Sequence, residues 1–234
     1  MDDDLQKCAS LAPVVAIDGP VASGKTSVGR VAARQLGLRF LDTGIMYRAL
    51  TWLALRCGKP VDHAESMGRL AENCSMSLAD GEQEAVILVN GHSLSVDDLT
   101  SDEIDRNVSA VAAGSEARRA LVEQQRAIAA GGGIVMVGRD IGSVVLPGAD
   151  VKLYLDASPE ERSRRRLRQQ HEAGGTIDYQ QVLADTNRRD RLDSQRADSP
   201  LKVPDGAIVI DTEGLDFCQS VAAVASQICA ASGL

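Results

Sequence analysis

The segment Gly19-Pro20-Val21-Ala22-Ser23-Gly24-Lys25-Thr26 constrains this chain more than any other. A glycine, four variable residues, Gly-Lys and a hydroxyl residue have the spacing of a P-loop. The apolar run Val14–Ile17 before it reads as a buried strand, and Ser27 onward reads as a helix. Placed between strand and helix, the glycines let successive backbone N–H groups turn inward around phosphate oxygens. The helix N-terminus adds its partial positive charge. Residues 19–27 are therefore expected around the phosphates of ATP. Lys25 is expected to reach the β- and γ-phosphates, and the Thr26 hydroxyl to ligate Mg²⁺.

The rest of the chain repeats that strand-then-helix rhythm. Leu38–Leu41, Ile134–Val137, Val151–Leu155 and Ala207–Ile210 join Val14–Ile17 as short runs apolar on both faces. Such runs suit a parallel sheet covered by helices on both sides. Helical patterns follow over Lys25–Leu36, Tyr47–Cys57, Arg106–Ala130, Pro159–Glu172 and Leu215–Ala230. The alternation predicts an open α/β fold. From Ala64 to Ile104 it breaks into short alternating pieces, Ala85–Val89 and Ser93–Val96, around Asn90-Gly91. That dipeptide predicts a β-hairpin inside a small inserted subdomain. A polar segment from Gln170 to Asp178, containing Gly174-Gly175 between arginine-rich helices, reads as a flap.

Composition narrows the partners. With 44% hydrophobic residues and only 3% aromatic, the core must be built from Val, Leu, Ile and Ala. A net charge of −8 lacks the basic footprint of a nonspecific DNA or RNA binder, so no polymeric nucleic acid is expected. A single nucleotide needs only a local cluster of donors. Cys8, Cys57, Cys74, Cys218 and Cys229 form no CxxC, and His63, His92 and His171 show no ligand spacing. Free thiols, no signal peptide and no bilayer-length apolar run imply a cytoplasmic protein without a membrane partner.

A P-loop specifies a nucleotide but not a reaction. The guanine-reading Asn-Lys-x-Asp of GTPases is missing. Motors and ATPases end a later strand in an acidic residue, whereas Ile134–Val137 runs into Gly138-Arg139-Asp140. An arginine there suits a grip on a second phosphate, as a phosphoryl acceptor requires.

Three further motifs specify the acceptor. Leu41-Asp42-Thr43-Gly44-Ile45-Met46-Tyr47-Arg48 follows the second strand. The third strand leads into Val137-Gly138-Arg139-Asp140-Ile141-Gly142-Ser143-Val144-Val145. Arg189-Asp190-Arg191-Leu192-Asp193-Ser194-Gln195-Arg196 lies near the end. Together with the P-loop this set resembles the bacterial cytidylate kinases, within the nucleoside monophosphate kinases, from about Val14 to the last helix. The resemblance implies a five-stranded parallel sheet in order 2-3-1-4-5. It also implies a P-loop kinase core over 12–63, 105–160 and 195–234, an inserted monophosphate-binding subdomain over 64–104, and a lid with flanking helices over 161–194. The activity it implies is transfer of the γ-phosphate of ATP, with Mg²⁺, to CMP or dCMP by a monomeric enzyme.

Roles follow residue by residue from the same resemblance. Arg48, Arg139 and Arg196 are the expected clamp on the acceptor phosphate, each a planar bidentate donor. Lys25, Arg139 and Arg196 are the expected catalytic cations. Asp42 and Thr43 belong to the acceptor site. Ser109, Arg118 and Asp140 are the expected cytosine readers, and Arg189 and Asp193 the sugar contacts. A carboxylate at 140 accepts from the cytosine N4 amine and repels uracil O4. Arg162 and Arg166, spaced i,i+4, share a helix face. By similarity to nucleoside monophosphate kinases, one is expected on adenine and the other on ATP phosphates. The plain alternative for this helix is a solvated face with local pairs such as Glu161 to Arg165. Relatives often carry an acid before the Gly-Arg-Asp. Val137 stands there instead, which leaves Mg²⁺ to Thr26 and the phosphates. Two rival readings are a kinase for another small acceptor such as UMP, and a nucleotide-dependent switch with no acceptor chemistry.

Overall fold

The computed structural model describes residues 11–79, 87–172, 174–195 and 199–231. Five parallel strands form its main sheet: β1 (Val14–Asp18), β2 (Arg39–Asp42), β6 (Ile134–Gly138), β7 (Val151–Asp156) and β8 (Ile208–Asp211). Their order is β2-β6-β1-β7-β8, which is 2-3-1-4-5 when these five are counted along the chain. Each strand starts or ends within a residue or two of its expected position. β1 and β6 are buried on both faces, as their continuous apolar runs require. β8 differs, because it is an edge strand and leaves Ile208 and Val209 exposed.

The described residues cluster into two compact units, one running to Leu38 and resuming at Gly133, the other Arg39–Gly132. In the first, helix α1 (Lys25–Gln35) packs on β6 and on the last helix, α9 (Phe217–Ala231). Val28, Ala32 and Ala33 of α1 and Val221, Val224 and Ile228 of α9 fill that layer. Helices α7 (Pro159–Glu172) and α8 (Tyr179–Ser194) pair with each other. Between them Gly174 takes φ 85° and the Gly174 and Gly175 amides donate to the carbonyls of His171 and Gln170. The segment expected to be a flap thus begins at a hydrogen-bonded helix exit.

The second unit holds α2 (Thr43–Arg56), α3 (Ala64–Asn73), a three-stranded antiparallel sheet of β3 (Met76–Leu78), β4 (Ile87–Val89) and β5 (His92–Ser93), then α4 (Val96–Leu99), α5 (Asp102–Ala113) and α6 (Ser115–Ala129). Asn90 and Gly91 both take positive φ, 51° and 80°, and close the expected hairpin. Its second strand is shorter than expected, because Ser95 forms a capping box that starts α4. Part of its first strand, like Met1–Asp4 and Cys8, lies outside the described residues.

Three helix expectations need correction. α2 starts at Thr43, four residues before Tyr47, because the Asp42 carboxylate caps the Gly44 amide at 2.9 Å. The region read as alternating pieces opens with α3, whose buried face is Met67, Gly68 and Ala71. A side chain at Gly68 would place its Cβ 2.6 Å from Glu116 Cβ, so glycine lets α3 lie close on α6. The single helix expected over Arg106–Ala130 is two, because Gly114 (φ −74°, ψ 114°) leaves the helical region and Ser101 caps an earlier start.

Candidate active site

The phosphate cradle forms at the carboxyl end of β1. Gly24, at φ 91°, precedes the first turn of α1, and Ala22 also takes positive φ, 62°. A Cβ on Gly19 would stand 2.3 Å from the Leu155 carbonyl oxygen, so only glycine permits this approach of loop to β7. The Lys25 ammonium donates to the Pro20 carbonyl at 3.0 Å, spanning the loop. A cavity of about 850 Å³ opens beside it, lined by residues 22–28 of the loop and α1, by Arg165, Arg166 and Arg168 of α7, and by Phe217 of α9.

The two arginines read as a shared face separate on folding. Arg166 lines the cavity. Arg162 is buried: it donates to both Asp190 oxygens (3.0 and 2.6 Å), to the Ala157 carbonyl (2.9 Å) and to the Val21 carbonyl of the loop (3.1 Å). It braces the P-loop from beneath. Arg165, expected only as a local partner of Glu161, lines the cavity instead and donates to the Thr212 carbonyl (2.7 Å) and hydroxyl (3.0 Å). It also pairs with Glu161 at 3.1 Å, the local contact expected of a solvated face. Burial pushes the Glu161 carboxyl up, but hydrogen bonds from Arg164 and Arg165 outweigh it and hold the group below its ordinary value.

The residues assigned to the acceptor are split between the units. The second unit carries Asp42, Thr43, Arg48, Ser109 and Arg118. Arg48 is held by Asp105 (2.7 Å) and donates to the Leu99 carbonyl (2.9 Å). Arg118 is buried, with its guanidinium over the Tyr47 ring at 5.8 Å. Thr43 is buried behind the Asp42 cap, while Ser109 is exposed on α5.

The first unit carries Arg139, Asp140, Arg189 and Asp193. Arg139 and Asp140 close β6 and open a π-helical turn, Ile141–Val145, in which the Leu146 amide donates to the Ile141 carbonyl at 2.6 Å. Single π turns of this kind recur at functional sites. Arg139 pairs with the buried Asp193 at 2.7 Å, so the residue expected at the sugar holds an arginine expected in the clamp. Arg189 is exposed on α8. Arg196 lies outside the described residues.

One residue near these was missed. Asp18, the last residue of β1, is wholly buried, and its two oxygens accept from the Ile141 amide (2.6 Å) and the Gly142 amide (2.7 Å). Burial and the neighbouring Asp140 push its carboxyl up to about 6, against those two hydrogen bonds and Lys25. Tyr154, beside Asp18 on β7, is pushed up to about 12 by burial and by Asp156 and Asp18. A lone acidic residue closing an apolar strand was the signal.

The protein residues suit Mg²⁺ as a partner of the nucleotide. Thr26 offers one hydroxyl at the first turn of α1, and among the described residues no three His, Cys, Asp or Glu gather into a metal site. Val137 is wholly buried.

Strand, glycine-rich loop and helix in this order on a parallel sheet define the P-loop nucleotide-binding class. The chain itself belongs to the cytidylate kinase family, whose model matches residues 15–230. It is 46% identical to the cytidylate kinase of Mycolicibacterium paratuberculosis over 89% of this chain and 91% of that one. It is 44% identical to a bifunctional pantoate ligase/cytidylate kinase of Synechococcus sp., covering 87% of this chain, but it spans only 38% of that relative's length. A shikimate kinase from Bacteroides thetaiotaomicron superposes with a TM-score of 0.45 at 14% identity, over 91% of this chain and 96% of that one. Among the described residues no helix is long and apolar enough to cross a membrane.

Proposed function

We propose that this protein transfers the γ-phosphate of ATP to CMP or dCMP, giving ADP and the diphosphate. The observation that carries the reading is the family match over residues 15–230, which takes in the P-loop and the Gly-Arg-Asp turn together. The P-loop amides and Lys25 hold the ATP phosphates, with Arg165 and Arg166 rather than the buried Arg162 completing the donor side. Arg48, Arg139 and Arg196 grip the acceptor phosphate. Ser109, Arg118 and Asp140 read the base, and Arg189 and Asp193 serve the sugar.

The transferring phosphoryl group passes through a loose transition state, so positioning and charge neutralisation carry the catalysis. The attacking CMP oxygen is already anionic and needs no general base. Mg²⁺ bound with the nucleotide, through Thr26, would neutralise the β- and γ-oxygens. Helices α7 and α8 form the lid that excludes water. The enzyme works as a cytoplasmic monomer.

An assay coupled to ADP release, with ATP and each of CMP, dCMP, UMP and AMP, tests the reading. CMP is expected to have the highest kcat/KM, and equal turnover of UMP would reject it. In Asp140→Asn the amide rotates to offer N–H₂ to uracil O4. The CMP-to-UMP ratio is expected to fall by about one to two decades, the worth of one good base-edge pair.

A further inference from the structure

We propose that Asp18 is a positioning residue for the acceptor, holding Arg139 and Asp140 in register with the P-loop through its two backbone hydrogen bonds. The inference rests on the proposed role of Arg139 and Asp140 at CMP.

The geometry sets an unusual demand. The π-helical turn begins immediately after Asp140, and the amides of Ile141 and Gly142 point out of its first residues. Two adjacent buried N–H donors need two acceptors within one residue's reach. Among the side chains only a carboxylate presents two acceptor oxygens and no donor. Asp18 meets that demand at 2.6 and 2.7 Å from a position 123 and 124 residues away in sequence.

The next residue after Asp18 is Gly19, the first of the P-loop. In the sheet Asp18 lies beside Gly138, the residue before Arg139. One side chain thus ties the start of the ATP cradle to the turn that carries two acceptor-site residues.

The surroundings show that the carboxylate is retained at a cost. Asp18 is wholly buried, and Asp140 adds repulsion. The titratable groups that face it are Asp140 on its own turn, Lys25 on α1 and Tyr154 on β7, and of these only Lys25 favours its ionised form. The turn also leaves no slack. A Cβ on Gly142 would stand 3.2 Å from the Asp18 Oδ2 and 3.0 Å from Pro204 Cγ. The amide-carboxylate distance is therefore set by packing from both sides.

Asp18→Asn keeps the volume but turns one acceptor into a donor facing a backbone N–H. The expected result is a KM for CMP raised about tenfold, the loss of one hydrogen bond to a charged group, with KM for ATP changed less than about twofold. The CMP-to-UMP ratio should fall as well, because Asp140 loses its fixed position. Gly142→Ala, which crowds the carboxylate from the turn side, should give the same split in weaker form. Faster hydrogen exchange at Ile141 and Gly142 than at the β1 amides should accompany it. An unchanged KM for CMP in folded Asp18→Asn would overturn the proposal, as would parallel losses for ATP and CMP. Failure of both variants to fold would make the carboxylate a core support and reject a substrate-positioning role. If the wild-type enzyme does not phosphorylate CMP at all, the parent reading has failed instead.

Discussion

The proposed donor and acceptor regions of this protein are built on different principles. The proposed donor cradle is one continuous stretch, residues 19–27, whose backbone is shaped by Gly19 and Gly24 and offers amides to phosphates. The acceptor residues are scattered side chains from 42 to 196. Each long one that is described and partnered leans on another: Arg48 on Asp105, Arg118 on Tyr47, Arg139 on Asp193. A backbone cradle needs only the right turn, so it tolerates little variation in the loop and much elsewhere. A side-chain site needs a supporting shell, because a flexible guanidinium without one loses its geometry to entropy. On the proposed function, binding of the common phosphates is thus rigid and local, while selection of the acceptor is distributed.

The contrast can be broken first at the brace beneath the cradle. Arg162→Met leaves the partly buried Asp190 without its partner and should lower the unfolding free energy by up to about 3 kcal/mol. Arg166→Met should leave stability near wild type and raise KM for ATP several-fold. Urea unfolding and steady-state kinetics on the two variants separate the roles. If Arg162→Met is as stable as wild type, the brace is not one.

Lys25→Ala attacks the cradle itself. Turnover should drop by roughly two to three decades, as when one preorganised donor to transition-state charge is removed, with the fold and the KM for CMP little changed. Near-normal kcat in a folded variant would show that the loop works through its amides alone.

The carboxylate that links the two regions has a signature in stability. The unfolded Asp18 carboxyl titrates at the ordinary 3.8 and the folded one at about 6. Between those values the folded protein holds a proton that the unfolded chain has released. Stability from this group is therefore highest at low pH and falls as pH rises through the folded value, by about 3 kcal/mol in all. Denaturation of wild type and Asp18→Asn at pH values spanning that window should give curves that differ in slope, the wild type losing more stability toward neutral pH. Parallel curves would contradict a raised pKa.

The smallest effect should come from the acceptor region's outermost support. Arg48 and Asp105 are both partly exposed, 31% and 54%, so their pair is worth at most about 1 kcal/mol. Asp105→Asn should raise KM for CMP less than about fivefold, and added salt should erase much of the difference. A larger, salt-insensitive loss would mean that the distributed site is more tightly built than its exposure implies.

The sequence by itself determined whatever depends on neighbours within a turn or two. The strand, loop and helix of residues 14–35, the parallel sheet and its strand order by resemblance, and the Asn90-Gly91 hairpin were all legible. Local caps explain most of the boundary misses: Asp42, Ser95 and Ser101 each move an element by a few residues through one short bond. Tertiary structure alone decided that Arg162 turns inward to Asp190 while Arg165 and Arg166 face the cavity. An i,i+4 spacing gives a shared helix face but not which partner lies under it. It also decided that Asp193 holds Arg139, and that Asp18 meets the amides of Ile141 and Gly142 across more than a hundred residues. A buried carboxylate and an exposed one are the same letter in the sequence. The packing that desolvates one of them, and the distant N–H groups that compensate it, exist only once the strands have come together.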